Sequence, residues 1–352
     1  MESAKDIDTF RELEELVGKR PPSWHLKSIE VLDEHCRAFL PHSTFAILGV
    51  QGDDGRLWDV PLGREAGLFE VLGADRLRLR IDPTDVPSAS PLAGPTRAEG
   101  IPAALVAMIP GYRETLRING RLIGDELVTE EVFLHCAKCM IRSKMWELDR
   151  PTSTGAEVPA GDLHHPEIAD FLASASFVTM TSADTQHNLD VSPKGDPPGF
   201  VRVLDAATVA IPDRPGNRRT DSFHNLVQNP RIALTGIVPG DDRVLRLQGQ
   251  ARLSGDEDLR AGSEVRGNRP AAMLVVSVDH AELVVAQALA GHHLWDRSRH
   301  ADTGLLPRAS KVWTDHVKMN TDPGLAARLA RAAMREQPLR AGLKHDYRNN
   351  LY

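Results

Sequence analysis

The chain contains itself twice, and this constrains its fold more than any single motif, because a repeat of such length is a domain-sized unit. Residues 38–50, AFLPHSTFAILGV, align with 170–182, DFLASASFVTMTS, so that Phe39 meets Phe171 and Phe45 meets Phe177. At the same offset DVPLGREAGLFEVLGA (59–74) meets VSPKGDPPGFVRVLDA (191–206), placing Pro61 on Pro193, Gly63 on Gly195 and Gly67 on Gly199. After a small gap, IPGYRETLRINGRLIGDE (109–126) matches VPGDDRVLRLQGQARLSGDE (238–257). The shared skeleton is PG, then LR, a glycine three residues on, and GDE. Near the ends, IRSKMWELDR (141–150) echoes AGHHLWDRSR (290–299).

Both copies are patterned as strands. TFAILGV, DRLRLRI, ALVAMI and ETLRING in the first are short, apolar or alternating, and punctuated by Gly, Pro and Asp. So are FVTMT, FVRVL, TVAIP, RIALTGIV, RVLRLQGQARL, MLVVSV and AELVVAQA in the second. Helical signals are confined to 28–40, 166–175 and 222–229, the last stopped before Pro230. The expected fold is mostly β with short helices, each repeat a helix leading into a many-stranded antiparallel barrel. The expected division is an N-terminal helical extension (1–27, helix about 5–18), a first repeat (28–150), a linker (151–164) and a second repeat (165–300). A C-terminal segment (301–352) follows, with a helix over about 324–336 and an irregular basic end.

Bulk properties narrow the partners. A net charge of −7 and a pI of about 6.1 argue against general nucleic-acid binding. No apolar run approaches the roughly 20 residues of a membrane span. The acidic N-terminus has no signal-peptide core, and three cysteines do not make a disulfide framework. The expectation is a cytoplasmic protein acting on a small molecule, as a monomeric pseudo-dimer or a homodimer.

The two copies differ in charge at one place. IPDRPGNRR (211–219) sits on LRIDPTDVP (79–87), so Arg218 and Arg219 replace Val86 and Pro87. Upstream, Ser192 and Lys194 replace Val60 and Leu62. Paired guanidinium groups, a lysine and a hydroxyl suit a phosphate, and Pro215-Gly216 supplies a turn that lets backbone approach an anion. A solvated turn neutralised by Asp213 and Asp221 is the competing reading. Loss of all four residues together in the first copy favours a ligand site kept in one half only.

The run DVSPKGDPPGFVRVLD…IPDRPGNRRTDSFHNLVQNPRIAL resembles the pyridoxamine 5′-phosphate oxidase-like family of FMN-binding split barrels, in its predicted flavin-nucleotide-binding branch. VPGDDRVLRLQG (238–249), IPGYRETLRING (109–120) and HCAKCMIRSKMW (135–146) carry the same likeness. The resemblance implies two tandem split β-barrels forming a pseudo-dimer, with FMN at their interface. It places Ser192, Lys194, Arg218 and Arg219 on the phosphate, and Asp213, Arg214, Asn217 and Ser222 in the same pocket. Gln248 or Gln250 would reach the flavin ring. From the first repeat, His135, Lys138, Arg142, Ser143 and Trp146 would face the same flavin, as phosphate contacts or a substrate pocket. The implied activity is FMN-dependent oxidoreduction. The alternatives are a non-catalytic flavin-binding protein or a split barrel using F420 or heme. No catalytic acid or base stands out, and no GxSxG, Walker A, GxGxxG or HExxH occurs. Cys136 and Cys139 form a lone CxxC without a second ligand pair, and His164-His165 and His292-His293 are adjacent, which suits chelation poorly, so no metal is expected.

Overall fold

A computed structural model describes residues 6–21, 24–94, 98–147, 155–216 and 219–352. The chain opens with a short strand β1 (Asp6–Ile7) and helix α1 (Phe10–Val17), capped by the Thr9 hydroxyl accepting from Glu12 N–H. Helix α2 (Glu34–Phe39) is capped likewise by Asp33, and shorter than the pattern suggested. It leads into β2 (Phe45–Gln51), β3 (Leu57–Gly63), β4 (Phe69–Val71), β5 (Arg76–Leu79), β6 (Ile101–Met108), β7 (Thr115–Ile123) and β8 (Glu126–His135). Helix α3 (Lys138–Ser143) closes the first copy.

The second copy runs α4 (Pro166–Ser174), β9 (Phe177–Ala183), β10 (Leu189–Gly195), β11 (Arg202–Asp205), β12 (Thr208–Pro212) and α5 (Asp221–Gln228). It continues with β13 (Arg231–Ile237), β14 (Arg243–Ser254), α6 (Glu257–Ala261), β15 (Met273–Val285) and α7 (Gln287–Ala290). Helices α8 (Ala309–Met319), α9 (Leu325–Ala333) and α10 (Glu336–Asn349) follow. The strand orders are β3-β2-β6-β7-β8-β5-β4 and β10-β9-β13-β14-β15-β12-β11, with β1 added on β14. Each strand of one sheet thus has its twin at the same place in the other, and the fold is two tandem split barrels.

The repeated residues have mechanical reasons. The LRxxG glycines, Gly120 and Gly249, sit where β7 and β14 shift register against β8 and β15. A Cβ at either would run into the carbonyl group of Val128 or Ser277 on the neighbouring strand. Each is a bulge glycine, kept because only hydrogen fits. Pro61 and Pro193 lie in β3 and β10, which end the strand order of their sheets, where a missing N–H costs no ladder bond. Those prolines disguised both strands in the sequence.

Each sheet encloses its own apolar core, built around Leu48, Leu105 and Ile118 in the first copy and Met180, Leu234 and Leu283 in the second. A third core joins the two, with Phe45, Ile47, Trp146, Phe177, Val191 and Leu289 packed together. Phe45 and Phe177, the matched phenylalanines, both lie in it. Each copy also passes its closing helix to the other: α3 packs on β10 and α7 on β3. Gly195 and Gly63 permit this approach, since a Cβ on them would overlap Cys139 of α3 or Ala288 of α7.

Two expectations are corrected. MLVVSV and AELVVAQA are one strand, β15, whose polar centre (Asp279, His280) is carried past the bulge at Gln248/Gly249. The C-terminal end is the helix α10, with Pro338 tolerated in its first turn, because it docks on α8 and buries part of Leu339, Leu343 and Tyr347 against the first core. Among the described residues, no helix is long and apolar enough to cross a membrane.

Candidate functional site

Strand alternation sends Asp190, Ser192 and Lys194 to one face of β10, shared with Val178 and Met180 of the second core, while Leu189 and Val191 turn to the joint core. Helix α5 begins next to them, so the Ser222 hydroxyl donates to Asp190 at 2.6 Å and lies 2.8 Å from Ser192 Oγ. From the opposite repeat, Arg117 on β7 donates to Ser192 Oγ at 3.3 Å and pairs with Asp190. Burial, followed by the nearby Arg219 charge, lowers the Arg117 guanidinium to about 10, which leaves it cationic at neutral pH.

Arg219 ties both halves together. It donates to Asp221, to Ser28 and to Glu131 at 2.6 Å each, and its guanidinium stacks 3.8 Å from the Phe133 ring centre. Burial alone would raise the Glu131 carboxyl, but Arg219 more than offsets this and holds it low. Arg214 donates to Asp196 at 2.7 Å and to the Ser263 carbonyl at 2.8 Å. Lys194 is less engaged: Asp213 lies 3.8 Å away, beyond hydrogen-bond reach, and the Phe223 ring is 4.8 Å from Nζ. Burial lowers the Lys194 ammonium and raises the Asp213 and Asp196 carboxyls.

The first repeat contributes the other wall through α3. Arg142 donates to the carbonyls of Gly195 (2.9 Å), Pro215 (3.1 Å) and Leu351 (2.8 Å). Lys138 donates to Asp346 and to the Asn350 carbonyl at 2.9 Å, so the C-terminal end of the chain borders the site. His135, half-buried on the cavity wall, is driven down to about 3 by desolvation and then by Arg117, and is therefore neutral.

Together these groups line one cavity of about 620 Å³. Seven of its lining residues are Lys or Arg (Arg117, Lys138, Arg142, Lys194, Arg214, Arg219, Arg269) and four are Asp (Asp196, Asp213, Asp221, Asp346). Among the described residues the lining carries a positive excess of three, in a chain of net charge −7. Such a wall attracts a multivalent anion.

Of the residues singled out in the sequence, the structure brings Ser192, Lys194, Asp213, Arg214, Arg219, Ser222, His135, Lys138 and Arg142 to this cavity. Asn217 and Arg218 lie outside the described residues. Four others lie away from it. Ser143 is buried under α3, its hydroxyl donating to Met140 O. Trp146 belongs to the joint core, donating to Tyr112 O with its ring 5.9 Å from that of Trp295, and does not line the cavity. Gln248 and Gln250 face a different cavity of about 700 Å³, beside Trp58, Arg246 and His280. The reason is reciprocity: β7 faces β10 whereas β14 faces β3, so a residue on β14 serves the first repeat's side.

Arg117 and its neighbours Asp190, Glu131 and Phe133 were missed, although Arg117 is the arginine of the repeated LR pair. Its twin Arg246 donates to Glu282 and the Asp85 carbonyl. Where the second copy carries its basic turn, the first has Asp85, 3% exposed, whose carboxylate accepts from the backbone N–H groups of Gln287 and Ala288. Val60 and Leu62 there are fully buried. The first copy has filled its own anion position with a carboxylate and apolar side chains. Cys136 and Cys139 border the main cavity, but burial raises both thiols, Cys139 to about 12, so they stay protonated and unreactive.

Residues 164–285 match the sequence model of the pyridoxamine 5′-phosphate oxidase family. The second repeat is a member of that family. No curated protein sequence matches the chain. Solved structures similar to part of this chain include HupZ of Group A Streptococcus (16% identity over 34% of this chain and 98% of that one, TM-score 0.28). HutZ, described as a heme storage protein of Vibrio cholerae, shares 18% identity over 34% and 93%, with a TM-score of 0.25. A pyridoxamine 5′-phosphate oxidase-related, FMN-binding protein of Nostoc punctiforme shares 12% over 34% and 84%, with a TM-score of 0.26.

Proposed function

We propose that the cavity between the repeats binds FMN, one molecule per chain, and that the protein is a flavin-dependent oxidoreductase acting on a small molecule. The observation that carries this reading is the asymmetry of charge. Seven cationic side chains line the cavity of the family-matched repeat, while its twin position holds Asp85, Val60 and Leu62. A volume of about 620 Å³ is within the usual range for cofactor pockets, roughly 300–1,000 Å³. The charge suits a phosphate monoester: the loosely partnered ammonium of Lys194 is the available donor, beside Ser192 and Ser222, whose hydroxyls rest on Asp190, with the Arg219 cation, held by Asp221, Ser28 and Glu131, behind them. Arg117, Lys138 and Arg142 add positive charge from the first repeat. FMN would supply hydride or single-electron chemistry, and this chain's residues bind, orient and shield it. FMN is named as a binding partner of the Nostoc relative and heme of the Vibrio one. The crowd of guanidinium groups around His135 favours the phosphorylated ligand, since heme asks for an axial base rather than a cationic wall.

The test is the identity and stoichiometry of the cofactor released on denaturing purified protein. FMN at one per chain is expected, with bleaching by NAD(P)H marking an enzyme rather than a carrier. Two FMN per chain would overturn the decayed first site, and F420 or heme alone would overturn the cofactor.

A further inference from the structure

Away from the cavity, three side chains of different elements converge at the start of α2. Asp33 caps α2 with one oxygen, Oδ1, which accepts from Cys36 N–H at 2.9 Å. Its other oxygen, Oδ2, lies 3.2 Å from Nε2 of His316 on α8. Cys36 completes the group, 1% exposed, and the donor atoms of all three lie within 4.8 Å of one another.

The histidine is the informative member. Its Nδ1 stands 3.2 Å from the Lys27 carbonyl, which can only accept, so Nδ1 carries the hydrogen. In the neutral ring, Nε2 then presents its lone pair to a carboxylate oxygen. His316 is fully buried, and Nε2 makes no hydrogen bond despite its closeness to Asp33. Two lone pairs facing each other in a buried site need a positive charge between them, either a proton on the ring or a metal ion. An Nδ1–H held by a backbone carbonyl is also the arrangement that orients a metal-ligating imidazole.

We propose that Asp33, Cys36 and His316 form a binding site for Zn²⁺ or a similar divalent ion that clamps α8 of the C-terminal segment onto α2 of the first repeat. The mixture of carboxylate, thiolate and imidazole suits a borderline-soft ion rather than Mg²⁺ or Ca²⁺. Bonds of about 2.0–2.3 Å in a tetrahedral site put ligand atoms about 3.3–3.6 Å apart; Asp33 Oδ2 and His316 Nε2 already stand at about that spacing, and the Cys36 thiol must draw in by about 1 Å. Water completes the shell.

The test uses the tag-free full chain, stripped with a chelator and titrated with Zn²⁺, and separately with Co²⁺ to read a thiolate-to-cobalt charge-transfer band. Expected are one Zn²⁺ per chain and a visible band, both lost in Cys36→Ser. A rise in the unfolding temperature on adding Zn²⁺ to the unmodified chain, absent in Cys36→Ser, reports the clamp. No Zn²⁺ binding to the intact chain, or binding unchanged in Cys36→Ser with no charge-transfer band, would overturn the proposal and leave Asp33 and His316 as a buried ion pair. Flavin content plays no part in these readouts, so the outcome is separable from that of the cavity.

Discussion

Replacing Gly195 with alanine tests whether the hand-over of α3 between the repeats builds the cavity. An added Cβ there would stand 2.9 Å from the Cys139 carbonyl carbon and 3.0 Å from Ser143 Cβ, and would overlap the Cys139 oxygen. Carbon atoms pack at about 3.5–4.0 Å, so α3 and β10 must separate by about 0.5–1 Å. Overpacking of this kind costs about 1–3 kcal/mol, a fall of several degrees in unfolding temperature. The same shift breaks the bond from Arg142 Nε to the Gly195 carbonyl and moves Lys138 with it. Losing that charge-assisted hydrogen bond is part of the stability cost, and a displaced wall that gives up about 1.4 kcal/mol of its attraction for FMN binds it about tenfold more weakly. The twin substitution Gly63→Ala supplies the control. Its Cβ would stand 2.5 Å from Ala288 Cα and 2.7 Å from the Ala288 carbonyl carbon, a comparable clash against α7 on the other side. Calorimetry on both variants, with fluorescence titration by FMN, should show similar destabilisation and a weaker affinity for Gly195→Ala alone. Equally weakened affinities, or no change in either, would refute the assignment of the cavity to the α3 side.

Other outcomes follow from the same geometry. Lys194→Met and Ser192→Ala should weaken FMN about 10-fold or more while leaving riboflavin affinity unchanged, because only FMN carries the phosphate; parallel fluorescence titrations of the two flavins check this. Asp59 is wholly enclosed between the repeats, accepting from Thr179 and Thr181, and burial raises it to about 6 despite those hydroxyls. A raised carboxyl favours the protonated fold, so stability falls as pH rises from about 4 to about 6 and then levels. Asp59→Asn should therefore be the more stable form at pH 8, by up to about 3 kcal/mol, with no advantage near pH 4 in thermal unfolding. Deleting residues 350–352 removes the Asn350 and Leu351 carbonyls from Lys138 and Arg142, and should speed both binding and release of FMN in stopped-flow fluorescence.

The sequence exposed the architecture because duplication writes each constraint twice. Gly120 and Gly249, or Gly63 and Gly195, are recognisable as structural requirements once two strands of the same chain agree on them. The cavity was legible where the copies disagree, at Ser192, Lys194 and Arg219. It was illegible where they agree but face different partners. Arg117 and Arg246 occupy equivalent positions, and only the crossing of strands between halves decides that the first, rather than Gln248 and Gln250 beside the second, serves the charged cavity. The C-terminal border of the site was hidden too, because nothing local in LKHDYRNNLY announces that it returns to α3, more than 200 residues away. Trp146, an aromatic in a motif-rich stretch, packs in the joint core and does not border the cavity.

The covalent joining of the two barrels has a consequence for occupancy in dilute solution. A cavity built from two separate subunits empties as they dissociate, so its ligand affinity depends on how much protein is present. Here the second wall is always supplied by the same molecule, at an effective concentration set by the linker rather than by expression level. Capture of a ligand in this cavity would therefore be first order in protein at any dilution, with a scarce copy binding it as firmly as an abundant one.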